Sequence, residues 1–225
     1  MNTPKFSIDE AIQFGWNAAK RNIGFFFIVF IIFLVASAIP NGVQTATEKT
    51  APFLSFLFGL VSLVVSQVLA IGITRISLRF ADQQKAEIAD LYTGYPLFFR
   101  YLFASILYAL IVAIGLVLLV VPGVYLAVRF SQYGFLVVDK GLGPVEALRK
   151  SAALTEGARW QLFLFGILLF GLVLLGAIAL LIGLFWAVPT TLVAAAFVYR
   201  RLLAASEGTA AAGASTAPQA PAVGV

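Results

Sequence analysis

The 225-residue chain contains neither cysteine nor histidine. The first absence excludes disulfides, thiol nucleophiles and thiolate metal sites, and it removes redox chemistry as a guide to compartment. The second removes the commonest metal ligand and the commonest general base near neutral pH. Charge is scarce as well, at 11% of residues, against about 25% in a soluble domain. Apolar residues fill the space: 61% of the chain is hydrophobic and the mean hydropathy is +1.00. A water-soluble fold of this size could not bury so much apolar surface, so lipid is the solvent that the composition implies. The net charge of +5 then marks a membrane face with anionic headgroups, not a nucleic-acid surface.

Uncharged stretches locate the spans. One lies between Arg21 and Glu48 and another between Lys49 and Arg75, and each has the length of a single crossing. From Tyr101 to Val138 the only charge is Arg129, and Pro122-Gly123 interrupts the run. From Trp160 to Tyr199 there is no charge, with Gly183 and Pro189 inside the run. A helix of about 40 residues would reach about 60 Å, roughly twice the hydrocarbon thickness. Each long run therefore reads as a two-span hairpin turning at its Pro/Gly site. The expected fold is all-α, a polytopic bundle of six spans with short amphipathic interfacial helices.

Basic residues set the orientation. Lys5, Lys20 and Arg21 precede the first span. Arg75, Arg79, Lys85 and Arg100 lie in the second connection, and Lys140, Arg149, Lys150 and Arg159 in the fourth. Arg200 and Arg201 follow the last span, and the other side carries only Lys49. This asymmetry predicts both termini in the cytoplasm. A signal-peptidase-like Ala36-Ser37-Ala38 follows the first apolar run, but the segment before it is long, carries Asp9 and Glu10 and looks like a capped helix, so an uncleaved span is expected.

Ser7-Ile8-Asp9-Glu10 reads as a capping box opening a helix through Lys20, and Gly143-Pro144-Val145-Glu146 opens another through Thr155. Ala86–Tyr95 is a weaker amphipathic segment. Three units follow, each a short helix before a hairpin: 1–75, 76–138 and 139–204. They are either true repeats or independent interfacial helices. The Ala/Pro/Gly-rich tail 205–225 is expected to be disordered.

The stretch Pro122-Gly123-Val124-Tyr125-Leu126-Ala127-Val128-Arg129-Phe130, with Val138-Asp139-Lys140-Gly141-Leu142-Gly143-Pro144-Val145-Glu146-Ala147-Leu148-Arg149-Lys150-Ser151 after it, resembles the signature of a broad prokaryotic family. Most of its members are uncharacterised, and it includes the membrane domain attached to some glycerophosphodiester phosphodiesterases. Ala11-Ile12-Gln13-Phe14-Gly15-Trp16 and Tyr199-Arg200-Arg201-Leu202 are similar to the same pattern. The resemblance implies a six-span bundle with its termini inside, and it carries no catalytic residues. The phosphodiesterase activity of fused relatives belongs to a separate His-dependent barrel, for which this chain has neither the histidine nor the length.

Among individual residues, Arg129 stands out as a charge inside a span, an arrangement that costs at least about 2.5 kcal/mol. With Ser131 and Gln132 it is the candidate contact for an anion or lipid phosphate; the alternative is a snorkelling or backbone-capping arginine. Arg100, Arg159 and Trp160 pair cations with rings at span entries, as interfacial anchoring requires. Gly166, Gly171, Gly176, Ala177 and Ala179 offer surfaces for close helix packing, without clean spacing. No paired carboxylates, nucleophile–base arrangement, phosphate loop or metal cluster is present, so neither an enzyme nor a cofactor is expected. The leading reading is a non-enzymatic protein organising lipids or partner proteins at the cytoplasmic membrane. Its rival is a transporter or permeation protein for a small or lipidic anion with a cavity near Arg129.

Overall fold

The computed structural model describes residues 5–179 and 182–215, with the side chains of 182 and 209–215 outside that description. Among the described residues nine α-helices succeed one another: α1 (Ile8–Arg21), α2 (Ile23–Thr47), α3 (Pro52–Ala81), α4 (Phe98–Leu118), α5 (Val120–Arg129), α6 (Tyr133–Lys140), α7 (Pro144–Leu154), α8 (Arg159–Ile178) and α9 (Ile182–Ser215). Two short 3-10 turns, Ile88–Leu91 and Tyr95–Leu97, take the place of the weak amphipathic helix expected over Ala86–Tyr95. Among the described residues there is no strand. Six segments are long and apolar enough to cross a membrane: α2, α3, α4 with its leading turns, α5–α6, α8 and the main part of α9. Large apolar side chains such as Phe53, Val117 and Phe170 point outward at 81%, 88% and 70% exposure. That inverted exterior is the one a bilayer solvates.

The spans pair as hairpins: α2 with α3, α4 with α5–α6, and α8 with α9. The second hairpin turns at Leu119, whose extended backbone (φ −166, ψ 152) ends α4. Pro122 therefore lies in the first turn of α5, where a missing N–H costs nothing, and not in the turn itself. Gly123 instead allows close approach, since a Cβ on Gly115 would stand 2.9 Å from its Cα. The third hairpin is closed alike by Gly176 and Gly183, with a Cβ on Gly176 falling 2.9 Å from the Gly183 carbonyl carbon. Pro189 sits inside α9 and makes no turn. Beside it the hydroxyls of Thr190 and Thr191 donate to the carbonyls of Trp186 (2.7 Å) and Val188 (2.8 Å). Such side-chain bonds are how a span tolerates proline in lipid. Helix α9 runs on to Ser215, through the start of the segment expected to be disordered. Alanine, the best helix former, dominates that stretch; residues 216–225 of the tail lie outside the described residues.

Helix α1 is capped by Ser7, whose hydroxyl accepts from the Glu10 N–H at 3.4 Å. Its acidic first turn and basic last turn (Lys20, Arg21) suit the helix dipole. The second half of the expected capping box gives way to a longer bond: the Glu10 carboxylate pairs with Arg201 of α9. From there α1 follows α9 in antiparallel order. Phe14 stacks on Phe197 at 4.7 Å, Gly15 meets Thr190 and Ala194, and Trp16 lies 5.4 Å from Trp186. Ala11, Gly15 and Ala19, four residues apart, are all buried. Between helices in lipid, the hydrophobic effect contributes little, and small residues that let backbones touch supply the van der Waals gain. Thus α1 is not free to lie on a leaflet along its apolar stripe, because α9 covers that stripe. Helix α7 and its C-cap Thr155 bury Ala147, Ser151 and Thr155 at the same spacing, with α7 packed against α4 and α6.

A methyl group on Gly15 would overlap the Thr190 carbonyl oxygen. Gly15→Val is therefore expected to destabilise the protein by about 1–3 kcal/mol, seen as a lower unfolding midpoint in detergent. Gly24→Ala, where nothing stands within 4 Å, should leave that midpoint in place. Equal midpoints for Gly15→Val and wild type would contradict the close α1–α9 contact.

Candidate functional site

Arg129 is the last residue of α5, and a three-residue break, Phe130–Gln132, separates it from α6. A break inside a span leaves backbone groups that lipid cannot satisfy. Here α7 satisfies them. The Ser151 hydroxyl accepts from the Gln132 N–H at 3.1 Å and donates to the Arg129 carbonyl at 3.2 Å. Thr155 donates to that same carbonyl at 3.0 Å. Ser151 and Thr155 have no exposed surface; they come from the buried stripe of α7, so one helix face both packs and caps. The segment Glu146–Ser151 thus supplies one of the two hydroxyls that close the break.

The side chains at the break are divided. Ser131 is exposed, and its Oγ accepts from Gln132 Nε2 at 3.0 Å. Gln132 is buried, with Oε1 unpartnered. The Arg129 guanidinium lies 5.5 Å from the Phe130 ring centroid, and its buried Nε has no partner. The structure brings the three candidate residues to one place. It gives the Arg129 and Gln132 backbones structural work and leaves one side-chain donor and one acceptor open. Among the three interfacial candidates, Arg100 donates to the Gly141 carbonyl and so ties the start of α4 to the α6–α7 turn, where Gly141 has φ +62. Only glycine takes that turn without strain.

Arg159 and Trp160 open α8 beside α5. A groove of about 470 Å³ runs between the two helices. Val120, Val124, Val128 and Phe163 give it apolar walls, and Arg159 with Tyr125 and Trp160 also line it. Arg159 donates from Nη1 to the Tyr125 hydroxyl at 2.6 Å, with its guanidinium 5.2 Å from that ring centroid. Its Nε is buried without a partner. Trp160 is 69% exposed and stacks on Phe163 at 5.4 Å. A buried N–H left unpaired costs about 1–3 kcal/mol, and this one belongs to a residue that lines the apolar groove.

A third constellation escaped the sequence. Arg200 of α9 donates from Nε and Nη2 to both oxygens of Asp82 at 2.7 and 2.6 Å, and its Nη1 stands 2.9 Å from Asp139 Oδ2. The Tyr199 hydroxyl donates to that same Asp139 oxygen at 2.8 Å, and the buried Tyr199 ring stacks on Phe135 at 5.2 Å. Asp82 follows α3, Asp139 lies near the end of α6 and Arg200 lies within α9. Nearby, Arg79 pairs with the buried Asp90 at 3.0 Å and Arg75 donates to Thr93 at 2.8 Å. Asp139 and its partner Arg200 lie 61 positions apart, so no local pattern in the sequence joins them. Among the described residues no group of three or more acidic side chains could hold a metal ion.

Residues 105–206 match a family described as "Protein of unknown function (DUF975)". The matched stretch contains the break at Arg129, its caps Ser151 and Thr155, the Arg159 groove, and Asp139 with Tyr199 and Arg200. No curated protein and no solved structure matches the chain, and the family match does not link it to the membrane domain of glycerophosphodiester phosphodiesterases.

Ser151→Ala should leave the Gln132 N–H unpaired and the Arg129 carbonyl with Thr155 alone. The expected cost is about 1–3 kcal/mol, read as a lower unfolding midpoint, with Ser151→Thr retaining more than half of the difference. A midpoint unchanged by Ser151→Ala would show that α7 does not cap the break.

Proposed function

We propose that this chain is a non-enzymatic, multi-pass protein of the cytoplasmic membrane, with both termini in the cytoplasm, that holds and organises anionic phospholipid. The observation that carries the reading is the α5–α8 groove. An apolar slot is lined by an arginine whose buried Nε has no acceptor and by an exposed tryptophan. A phosphate oxygen meets the need of that N–H, and the valines suit an acyl chain. The distribution of Lys and Arg along the chain supports the orientation. Partner proteins docked on the same face belong to the same reading, as does kinship with the phosphodiesterase-linked membrane domain.

The three units are part of the proposal. In support, the leading segment of each packs on the last helix of the unit before it in a closed order: α1 on α9, the turns Ile88–Leu91 and Tyr95–Leu97 on α3, and α7 on α6. The contact at α3 is as close as that at α9, with a Cβ on Gly72 overlapping Leu91. A second functional reading, permeation of a small anion past Arg129, draws on the unpartnered Arg129 Nε and Gln132 Oε1. Single Cys substitutions at Arg129, Ser131 and Gln132 in this cysteine-free chain separate the two. Labelling of all three by a membrane-impermeant thiol reagent favours permeation.

Arg159→Gln is expected to lower the amount of phosphatidylglycerol retained through purification by at least about threefold, measured by native mass spectrometry. Phosphatidylcholine retention should not change. Equal phosphatidylglycerol retention by variant and wild type would refute the groove as the lipid site.

A further inference from the structure

A second cleft, of about 640 Å³, lies where α1 bends into α2 and the chain leaves α3. Two cations line it, Arg21 from the last turn of α1 and Lys85 from the loop after α3, and no carboxylate does. Neither cation forms an ion pair among the described residues. Of the two acids nearest in sequence to Lys85, Glu87 caps the turn Ile88–Leu91 with its side chain, and Asp82 is held by Arg200 through both oxygens. Asn17, Gln83 and Gln84 also line the cleft, and none of their side-chain amides is bonded within the described chain. Its floor is apolar, with Phe25 and Phe80 meeting edge to face at 5.7 Å.

The loop that carries Lys85 is built rather than loose. The Gln83 and Gln84 N–H groups donate to the Phe80 and Arg79 carbonyls at 3.1 and 2.8 Å. Arg79 donates to the Lys85 carbonyl at 3.2 Å. Gln83 alone among the described non-glycine residues has a positive φ, of 57°. Backbone strain of that kind persists where surrounding structure enforces it, and it clusters at binding sites. Two unpaired cations, exposed amides and an adjoining aromatic floor are complementary to a phosphate that bears polar substituents on one side and an apolar chain on the other.

We propose that the α1–α2–α3 cleft binds a phosphate ester group, and that its source is an anionic phospholipid drawn from the surrounding leaflet. Arg21 and Lys85 contact the phosphate oxygens, the amides of Asn17, Gln83 and Gln84 contact the headgroup, and the acyl chain leaves over Phe25 and Phe80. This site is separate from the Arg159 groove; it shares with that reading only the premise that the chain lives in lipid.

The test is calorimetric titration of the full chain, in phosphatidylcholine nanodiscs, with dihexanoyl phosphatidic acid and separately with inorganic phosphate. The Arg21→Gln/Lys85→Gln pair should weaken dihexanoyl phosphatidic acid binding at least tenfold. Arg149→Gln/Lys150→Gln, which removes the same charges from α7, should change it by less than twofold, and Arg159→Gln should leave this site intact. Inorganic phosphate binding as tightly as the lipid would assign the source to free phosphate while supporting the phosphate site. Wild type that binds neither probe, or equal losses in the two charge-matched pairs, would overturn the proposal. Loss on Arg159→Gln alone would overturn it and leave the groove reading standing. Lys85→Gln by itself, in an exposed loop, keeps the test valid if the double variant fails to fold, with an expected loss of at least threefold.

Discussion

One guanidinium joins three helices of this bundle. Arg200 engages Asp82 at the end of α3 and Asp139 near the end of α6, while Tyr199 beside it holds Asp139 and packs on Phe135. A charge near the hydrocarbon is tolerable only when it is paired and hydrogen-bonded. Arg200 therefore fixes where α3 and α6 must end relative to α9. The apolar cluster of Ile71, Leu78, Leu136, Val137, Tyr199 and Leu203 packs beside the pair, which keeps part of its surface open to solvent. Helix α1 then closes on the same helix from its other side, with Glu10 on Arg201.

From this node the candidate sites follow. Once α6 is tied at Asp139, the chain reaches α7 through the Gly141 turn, and α7 returns along α6 to place Ser151 and Thr155 at the Arg129 break. That return delivers Arg159 to α5, where the groove forms with Tyr125. The tie at Asp82 holds the loop that follows, so that Lys85 comes opposite Arg21. Both proposed lipid contacts are thus consequences of how the last helices are pinned, and each places an unopposed cation beside aromatic or apolar walls.

Much of the architecture was legible because lipid imposes it through composition. The six spans, the Ser7 cap and the Pro144 helix start depend on local rules of length, charge and capping. The turn of the second hairpin was misplaced by three residues because Pro122 suits both a turn and a first helical turn, and sequence alone does not choose between them. Arg129 was found as an isolated charge, but its backbone role was invisible, since Ser151 and Thr155 are caps only in three dimensions. The α1 stripe of Ala11, Gly15 and Ala19 was overlooked in favour of glycines in α8. Gly166 and Gly171 turned out to face open space, and only Gly176 makes a close contact.

The central claim is that Asp139 and Arg200 act as one unit. A double-mutant cycle on Asp139→Asn and Arg200→Gln, followed by unfolding in mixed micelles, tests it most directly. The single variants should each lose about 1–3 kcal/mol, with the double variant losing no more than the worse single, so that the coupling energy exceeds about 1 kcal/mol. Losses that simply add, with coupling near zero, would show that the three terminal helices are held by packing alone and would contradict the account.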